Sequence, residues 1–106
     1  MTVAIVAVIS PAAGKVDRVQ ELLSAHAEYV KQNESGTLKY HLHKQIGSKT
    51  PDLVMIEEYT DKSAIGVHGA APKFKEMGRT LKKEGLLAKP MDVKILEAVG
   101  GFASKL

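Results

Sequence analysis

The feature that most limits the fold of this 106-residue chain is its first apolar run, from Val3 to Ile9, which contains no polar residue. Five of its seven residues are β-branched, which favours a strand. A strand without a polar face is stable only when both sides of its sheet are covered. We therefore predict a central strand, with helices against one face of the sheet and a partner's sheet against the other.

The next segment has a helical period. Apolar residues recur at steps of three and four from Lys15 to about Asn33, which predicts an amphipathic helix with one apolar stripe. His26 and Tyr29 stand beside that stripe. Because amphipathic side chains commonly lie at such borders, we expect both at the edge of the core and not as ligands.

Residues 37–45 alternate between apolar and polar, which predicts a second strand. Its core face should carry Leu38, Tyr40 and Leu42. His41 and His43 fall on the opposite face, where two imidazoles could approach a metal ion. Nothing in the sequence indicates a third ligand, so a polar or interface face is the better interpretation and no metal site is predicted.

The remaining elements surround one central segment of the sequence. The apolar run 53–56 continues to Tyr59 as a strand, and Asp61 or Ser63 can cap a short helix over 63–69. Pro72 fits the first turn of a further helix over 73–83. Residues 91–98 alternate as a last strand.

The order of strand, helix, two strands, helices and strand predicts an α+β chain with a ferredoxin-like fold. Its four-stranded sheet should be antiparallel with helices on one face. We expect one domain over residues 1–99 and a flexible C-terminal tail over 100–106.

Composition excludes several function classes. The net charge is only +3, the lysines are scattered and aromatic residues make up 5%, which argues against a nucleic-acid surface. The first apolar run is too short to span a membrane, so no membrane partner is expected. The chain has no cysteine, which excludes disulfides and thiolate catalysis.

An apolar strand ending in Glu-x-aromatic, an acidic turn, a helical His, and then a Pro and an aromatic resemble the antibiotic biosynthesis monooxygenase family. The positions that match are Glu57, Tyr59, Asp61, His68, Pro72 and Phe74. Within that family the similarity is greatest to the quinol monooxygenases, although Tyr59 stands where Trp is most common. The resemblance implies a homodimer whose sheets pack face to face as a dimeric α/β barrel. It also implies that the last strand and tail reach across to the partner.

The resemblance further implies a cofactor-independent monooxygenase that oxidises a small aromatic quinol, anthrone or related metabolite with O2. In that interpretation His68 is the base, because imidazole titrates near neutrality. Glu57 orients His68 or accepts a substrate proton, and Tyr59 donates a hydrogen bond to a substrate oxygen. The substrate-binding residues would be Tyr40, Met55, Phe74, Met77 and Arg79, with Arg79 at the mouth of the pocket.

Other interpretations stay open. His68 can be a hydrogen-bonded structural residue, Glu57 can pair with a lysine or face a dimer interface, and the apolar candidates can belong to the core. The fold also serves polyketide cyclases and non-catalytic small-molecule-binding or stress-related proteins. Haem degradation by a sister branch is disfavoured, since the chain has no Trp and Gly78 stands where the haem-ligating His would fall.

The chain ends in Ser104, Lys105 and Leu106, a tripeptide that the peroxisomal import receptor reads. We expect a peroxisomal protein if the source is a eukaryote and a cytoplasmic protein otherwise.

Overall fold

The computed structural model describes residues 2–105. The helices and strands, in chain order, are β1 (Val3–Ile9), α1 (Val16–Asn33), β2 (Thr37–Lys44), β3 (Leu53–Tyr59), α2 (Lys62–Ala70), α3 (Pro72–Lys83) and β4 (Asp92–Leu96). Every predicted element is present. The largest difference in bounds is at the last strand, which is shorter at both ends than the predicted span 91–98.

The four strands form one antiparallel sheet in the order β2-β3-β1-β4. The long apolar strand β1 therefore lies inside the sheet, as predicted, and pairs with both β3 and β4. Ala7 stands opposite Met55 on one side and Val93 on the other. This strand order with helices on one face confirms the α+β, ferredoxin-like prediction.

The core fills the space between the sheet and the helices. Ala7 and Ile9 of β1 pack with Leu53 and Met55 of β3. The helices close this layer with Val19, Leu23, Met77 and Leu81, and Leu86 from the segment after α3 completes it. The amphipathic period of α1 therefore places its stripe as the sequence predicts.

The other face of the sheet is only half-buried in the single chain. Its centre is apolar, because the register sets Val6 beside Ile56 and Val8 beside Val54. His41 and His43 of β2 border this strip. Cover by a partner's sheet stays a prediction.

The prediction that Leu38 enters the core is wrong. The pairing of β2 with β3 shifts between Thr37 and Lys39, so the two strands fall out of step at this point. Because side chains alternate along a strand, the shift leaves Leu38 52% exposed. Tyr40 and Leu42, beyond the shift, pack against the core as predicted.

The predicted boundary between domain and tail at residue 99 stays a prediction. Ser104 and Lys105 are exposed, and Leu106 lies outside the described residues, so the expected import signal is not decided by the structure. Among the helices of residues 2–105, none combines the length and apolar character needed to cross a membrane.

Candidate active site

A cavity of about 190 Å³ lies between the sheet and the helices. Its wall is almost entirely apolar, and the polar side chains that reach it are Tyr40, Glu57 and His68. These three come from β2, β3 and α2, so only the folded chain brings them together. A concave apolar space with a few converging polar groups is the usual form of a small-molecule site.

Helix α2 carries His68 to this cavity. The helix begins after Asp61, whose carboxylate accepts hydrogen bonds from the backbone N–H of Ala64 at 3.0 Å and from the hydroxyl of Ser63 at 2.6 Å. The predicted cap is thus confirmed, and both hydrogen bonds lower the pKa of Asp61. His68 follows in the last turns of the helix and is 5% exposed.

The hydrogen-bond partner of His68 is Glu34. Nδ1 of His68 lies 2.8 Å from Oε1 of Glu34, and both side chains are buried. The same carboxylate oxygen accepts a hydrogen bond of 3.0 Å from the hydroxyl of Thr37. Glu57, which was expected to orient His68 or to accept a substrate proton, accepts a hydrogen bond from Tyr59.

Gly36 allows the segment after α1 to lie against α2. A Cβ atom on Gly36 would come within 2.7 Å of the Cβ of Ala64 and 3.3 Å of the hydroxyl oxygen of Thr60. The Gly36 carbonyl also accepts a 2.9 Å hydrogen bond from the backbone N–H of Thr60. This close approach brings Glu34 to the helix that carries His68.

Glu57 and Tyr59 form the second polar pair of the site. The Tyr59 hydroxyl donates a 2.5 Å hydrogen bond to Oε1 of Glu57, and Tyr59 is fully buried. Burial raises the pKa of Glu57, while the hydrogen bond from Tyr59 opposes that rise. Burial also raises the pKa of Tyr40, so its hydroxyl stays protonated and able to donate.

His26 belongs to an aromatic cluster around the cavity. Its ring centroid lies 5.6 Å from that of His68, 5.7 Å from Phe74 and 6.0 Å from Tyr40. At 5% exposure it is buried, so the prediction that it sits at the edge of the core is wrong. Burial, and then the nearby His68, lower the pKa of His26. Its Nε2 is buried and has no hydrogen-bond partner among the described residues.

The structure brings most of the predicted site residues together. Those that line the cavity are Tyr40, Met55, Glu57, His68, Phe74 and Met77. Tyr59 lies behind them as the donor to Glu57. Arg79 is exposed on α3 and is not among the residues that line the cavity.

The two histidines of β2 stand apart from the cavity. The ring centroids of His41 and His43 are 4.3 Å apart, and Nδ1 of His43 lies 3.0 Å from the backbone carbonyl oxygen of His41. In the part of the chain that the structure describes, no three or more His, Cys, Asp or Glu side chains are grouped so as to hold a metal ion.

Two residues of the site were not expected from the sequence. The sequence does contain a signal for the burial of His26, because one helical stripe at steps of four and three joins Val19, Leu23, His26 and Val30. Glu34 had none. It follows the last residue of α1 in a polar segment that reads as an ordinary helix end.

Comparison with known proteins supports both the fold and the family. A sequence model of antibiotic biosynthesis monooxygenases matches residues 2–80. A Caulobacter crescentus structure assigned to these monooxygenases is similar with a TM-score of 0.83 and 24% identity, over 93% of this chain and 91% of that one. A Mycobacterium tuberculosis protein has a TM-score of 0.83 and 22% identity, over 97% and 100% of the two chains.

A Methanosarcina mazei protein is similar with a TM-score of 0.80 and 23% identity, over 91% of each chain. At these identities the solved structures establish the fold alone. No curated protein matches the sequence significantly. The family match extends over most of the chain and includes β1, α1, β2, β3, α2 and most of α3. This chain therefore belongs to the antibiotic biosynthesis monooxygenase family.

Proposed function

We propose that this protein is a cofactor-independent monooxygenase that oxidises a small aromatic quinol, anthrone or related metabolite with O2. The observation that carries the proposal is the cavity of about 190 Å³, in which His68, Glu57 and Tyr40 reach an otherwise apolar space. Sites for drug-sized ligands start at roughly 300 Å³. The smaller volume favours the smaller members of this class, quinols of one or two rings, over three-ring anthrones.

The electrons in this reaction come from the substrate. Removal of a proton from a quinol hydroxyl, or from the CH2 of an anthrone, gives an anion that is electron-rich enough to react with O2. A new C–O bond then forms a hydroperoxide, and loss of water leaves a carbonyl. One oxygen atom ends in the product and the other in water, and the substrate supplies all four electrons.

The side chains at the cavity suit the proton transfers of this scheme. His68 is the base, and its burial beside an apolar cavity keeps competing water away. Tyr40 donates a hydrogen bond to the oxygen that becomes negative. Glu57 reaches the same space and can accept a substrate proton, and burial raises its pKa. Met55, Phe74 and Met77 provide the apolar wall against a flat ring.

The test is oxygen consumption by chelator-treated protein with a panel of reduced naphthoquinols and anthrones. His68→Ala should lower the rate above background by roughly 10²- to 10⁴-fold, the usual contribution of a positioned base. The control is Lys75→Ala, which removes an exposed side chain of α3 that lies outside the cavity lining and away from the outer sheet face, and should leave the rate unchanged.

Labelling with ¹⁸O2 makes the assignment specific, because a monooxygenase places one labelled atom in the product. If His68→Ala still consumes oxygen, the proposed activity stands but His68 is not its base. An absence of uptake with every substrate would contradict the proposal and favour a cyclase-like or binding role for the same cavity.

We also infer that two copies associate through the outer face of the sheet. Support comes from the apolar strip along Val6, Val8, Val54 and Ile56, which is half-buried in the single chain. Burying this strip against a second copy would complete the two-sided cover that β1 requires.

A further inference from the structure

The main chain around Glu34 is held on both sides. Its N–H donates a 3.0 Å hydrogen bond to the carbonyl of Val30 at the end of α1, and its carbonyl accepts a 3.1 Å hydrogen bond from the N–H of Thr37. The hydroxyl of Thr37 also holds Oε1 at 3.0 Å. Contacts that do not involve His68 thus hold the Glu34 carboxylate in place. A side chain that orients another usually has such support.

The contacts of the Glu34 carboxylate bear on whether Glu34 or His68 carries the proton of the hydrogen bond between them. Its side chain is only 4% exposed, and among the described residues its donors are Thr37 and His68, both at Oε1. The second oxygen, Oε2, is buried without a hydrogen-bond partner in that part of the chain. An ionised carboxylate can only accept hydrogen bonds. With Glu34 ionised, the 2.8 Å contact places the proton on Nδ1 of His68.

We propose that Glu34 is the positioning residue that makes His68 a base, by accepting the Nδ1 proton and leaving Nε2 unprotonated at the cavity. His68 lines the cavity, and the ring nitrogen that contacts Glu34 is Nδ1, which leaves Nε2 as the nitrogen for the substrate. The two nitrogens of a neutral imidazole have opposite roles, and the partner of one sets the role of the other. This role rests on the proposed function, but the proton position can be tested without turnover.

Glu34 also stabilises the charge that forms during the reaction. When Nε2 takes the substrate proton, the ring becomes a cation that donates through Nδ1 to the Glu34 carboxylate. No bond of Glu34 breaks, and the proton leaves again from Nε2. A buried pair of opposite charges interacts more strongly than an exposed pair, because less water screens it.

The position of Glu34 separates binding from chemistry. It is not among the residues that line the cavity, so it contacts His68 and not the space for the substrate. Loss of its charge should lower kcat and leave KM unchanged. A merely structural role would lower the amount of folded protein and leave the kcat of the folded fraction as it was.

The direct test is the nitrogen NMR spectrum of ¹⁵N-histidine protein from about pH 6 to about pH 10, which spans the ordinary titration of imidazole. The His68→Gln variant assigns the His68 signals. We expect the neutral His68 ring to carry its proton on Nδ1. In Glu34→Ala the neutral ring should shift towards the form with the proton on Nε2.

The kinetics of two variants test the role of the negative charge on Glu34. Glu34→Gln keeps the size and an accepting oxygen, so the tautomer should persist while kcat for oxygen uptake falls roughly 10- to 100-fold, as for other residues that orient a histidine. Glu28→Gln, which removes a glutamate from the exposed side of α1, should change neither quantity.

Two results would overturn the inference: a wild-type His68 with its neutral proton on Nε2, or an unchanged tautomer in Glu34→Ala. If Glu34→Ala does not fold, an unchanged kcat in Glu34→Gln also overturns it. Failure of the proposed function is seen separately, as no oxygen uptake by the wild-type protein, and leaves the NMR result to decide the position of the proton.

Discussion

The Tyr59 hydroxyl and the Glu57 carboxylate are joined by a 2.5 Å hydrogen bond on the helix-facing side of β3. Residues two apart on a strand point to the same face, so β3 delivers both to one place. Glu57 is 6% exposed and Tyr59 is fully buried. The pair therefore combines a carboxyl group at the cavity with a donor behind it.

Tyr59→Phe should destabilise the protein by about 1 to 3 kcal/mol, the cost of leaving a buried polar group unsatisfied. Oε1 of Glu57 would lose its donor, and the pKa of Glu57 would rise further because that hydrogen bond lowers it. Urea unfolding measures the change in the free energy of unfolding. Tyr29→Phe is the control and should stay within about 0.5 kcal/mol, since Tyr29 is only half-buried. Equal losses in both variants would contradict the role given to Tyr59.

Gly36→Ala should cost about 1 to 3 kcal/mol, the usual range for overpacking. The new methyl group would meet the Cβ of Ala64 at 2.7 Å, and α2 would have to move away from Glu34. Gly66→Ala is the matched control within α2, where a Cβ meets nothing within 4 Å. Because alanine is the better helix former, this control should stabilise the protein by roughly 0.5 to 1 kcal/mol. Thermal unfolding compares the two, and the same sign in both would contradict this account.

Acidification should destabilise the protein through His26. Burial lowers the pKa of His26 below 6.5, so from that pH downwards the unfolded chain binds a proton that the folded chain does not. The free energy of unfolding therefore falls as the pH falls, until the folded-state pKa is passed. Urea unfolding at about pH 8 and about pH 5.5 measures the difference.

The variant His26→Phe keeps an aromatic ring beside His68, Phe74 and Tyr40 and removes the titrating group. Its loss of stability between the two pH values should be smaller than that of the wild type. Lys75→Gln, at an exposed residue of α3, should behave like the wild type. An identical loss in His26→Phe would assign the pH dependence to other groups.

Ile56→Lys should convert the proposed dimer to monomers. The substitution places a charge in the middle of the apolar strip, beside Val6 on one strand and His41 on the other. A buried, unpaired charge is costly at an interface. Light scattering after size exclusion should show the mass of two chains in the wild type and one in the variant.

Val67→Lys is the control for that experiment, because Val67 is 62% exposed on α2, away from the outer sheet face. It should keep the wild-type mass. A monomeric wild type, or a dimeric Ile56→Lys, would rule out this surface as the dimer interface.

The sequence alone was enough wherever the physics is local. The apolar run of β1 requires a covered strand, the period of α1 requires an amphipathic helix, and Asp61 and Pro72 mark the starts of α2 and α3. Each of these signals depends on residues within one helix, one strand or one turn. The family also follows from such signals, because its characteristic positions are close together in the chain.

Only the tertiary structure decided how distant segments meet. The contact between Glu34 and His68 joins residues 34 positions apart and depends on the close approach at Gly36. The register shift that exposes Leu38 is a property of the pairing between two strands and not of either strand alone. The burial of His26 likewise depends on rings from other elements. Periodicity shows which face of an element is apolar, but the partners across that face are fixed by packing and register.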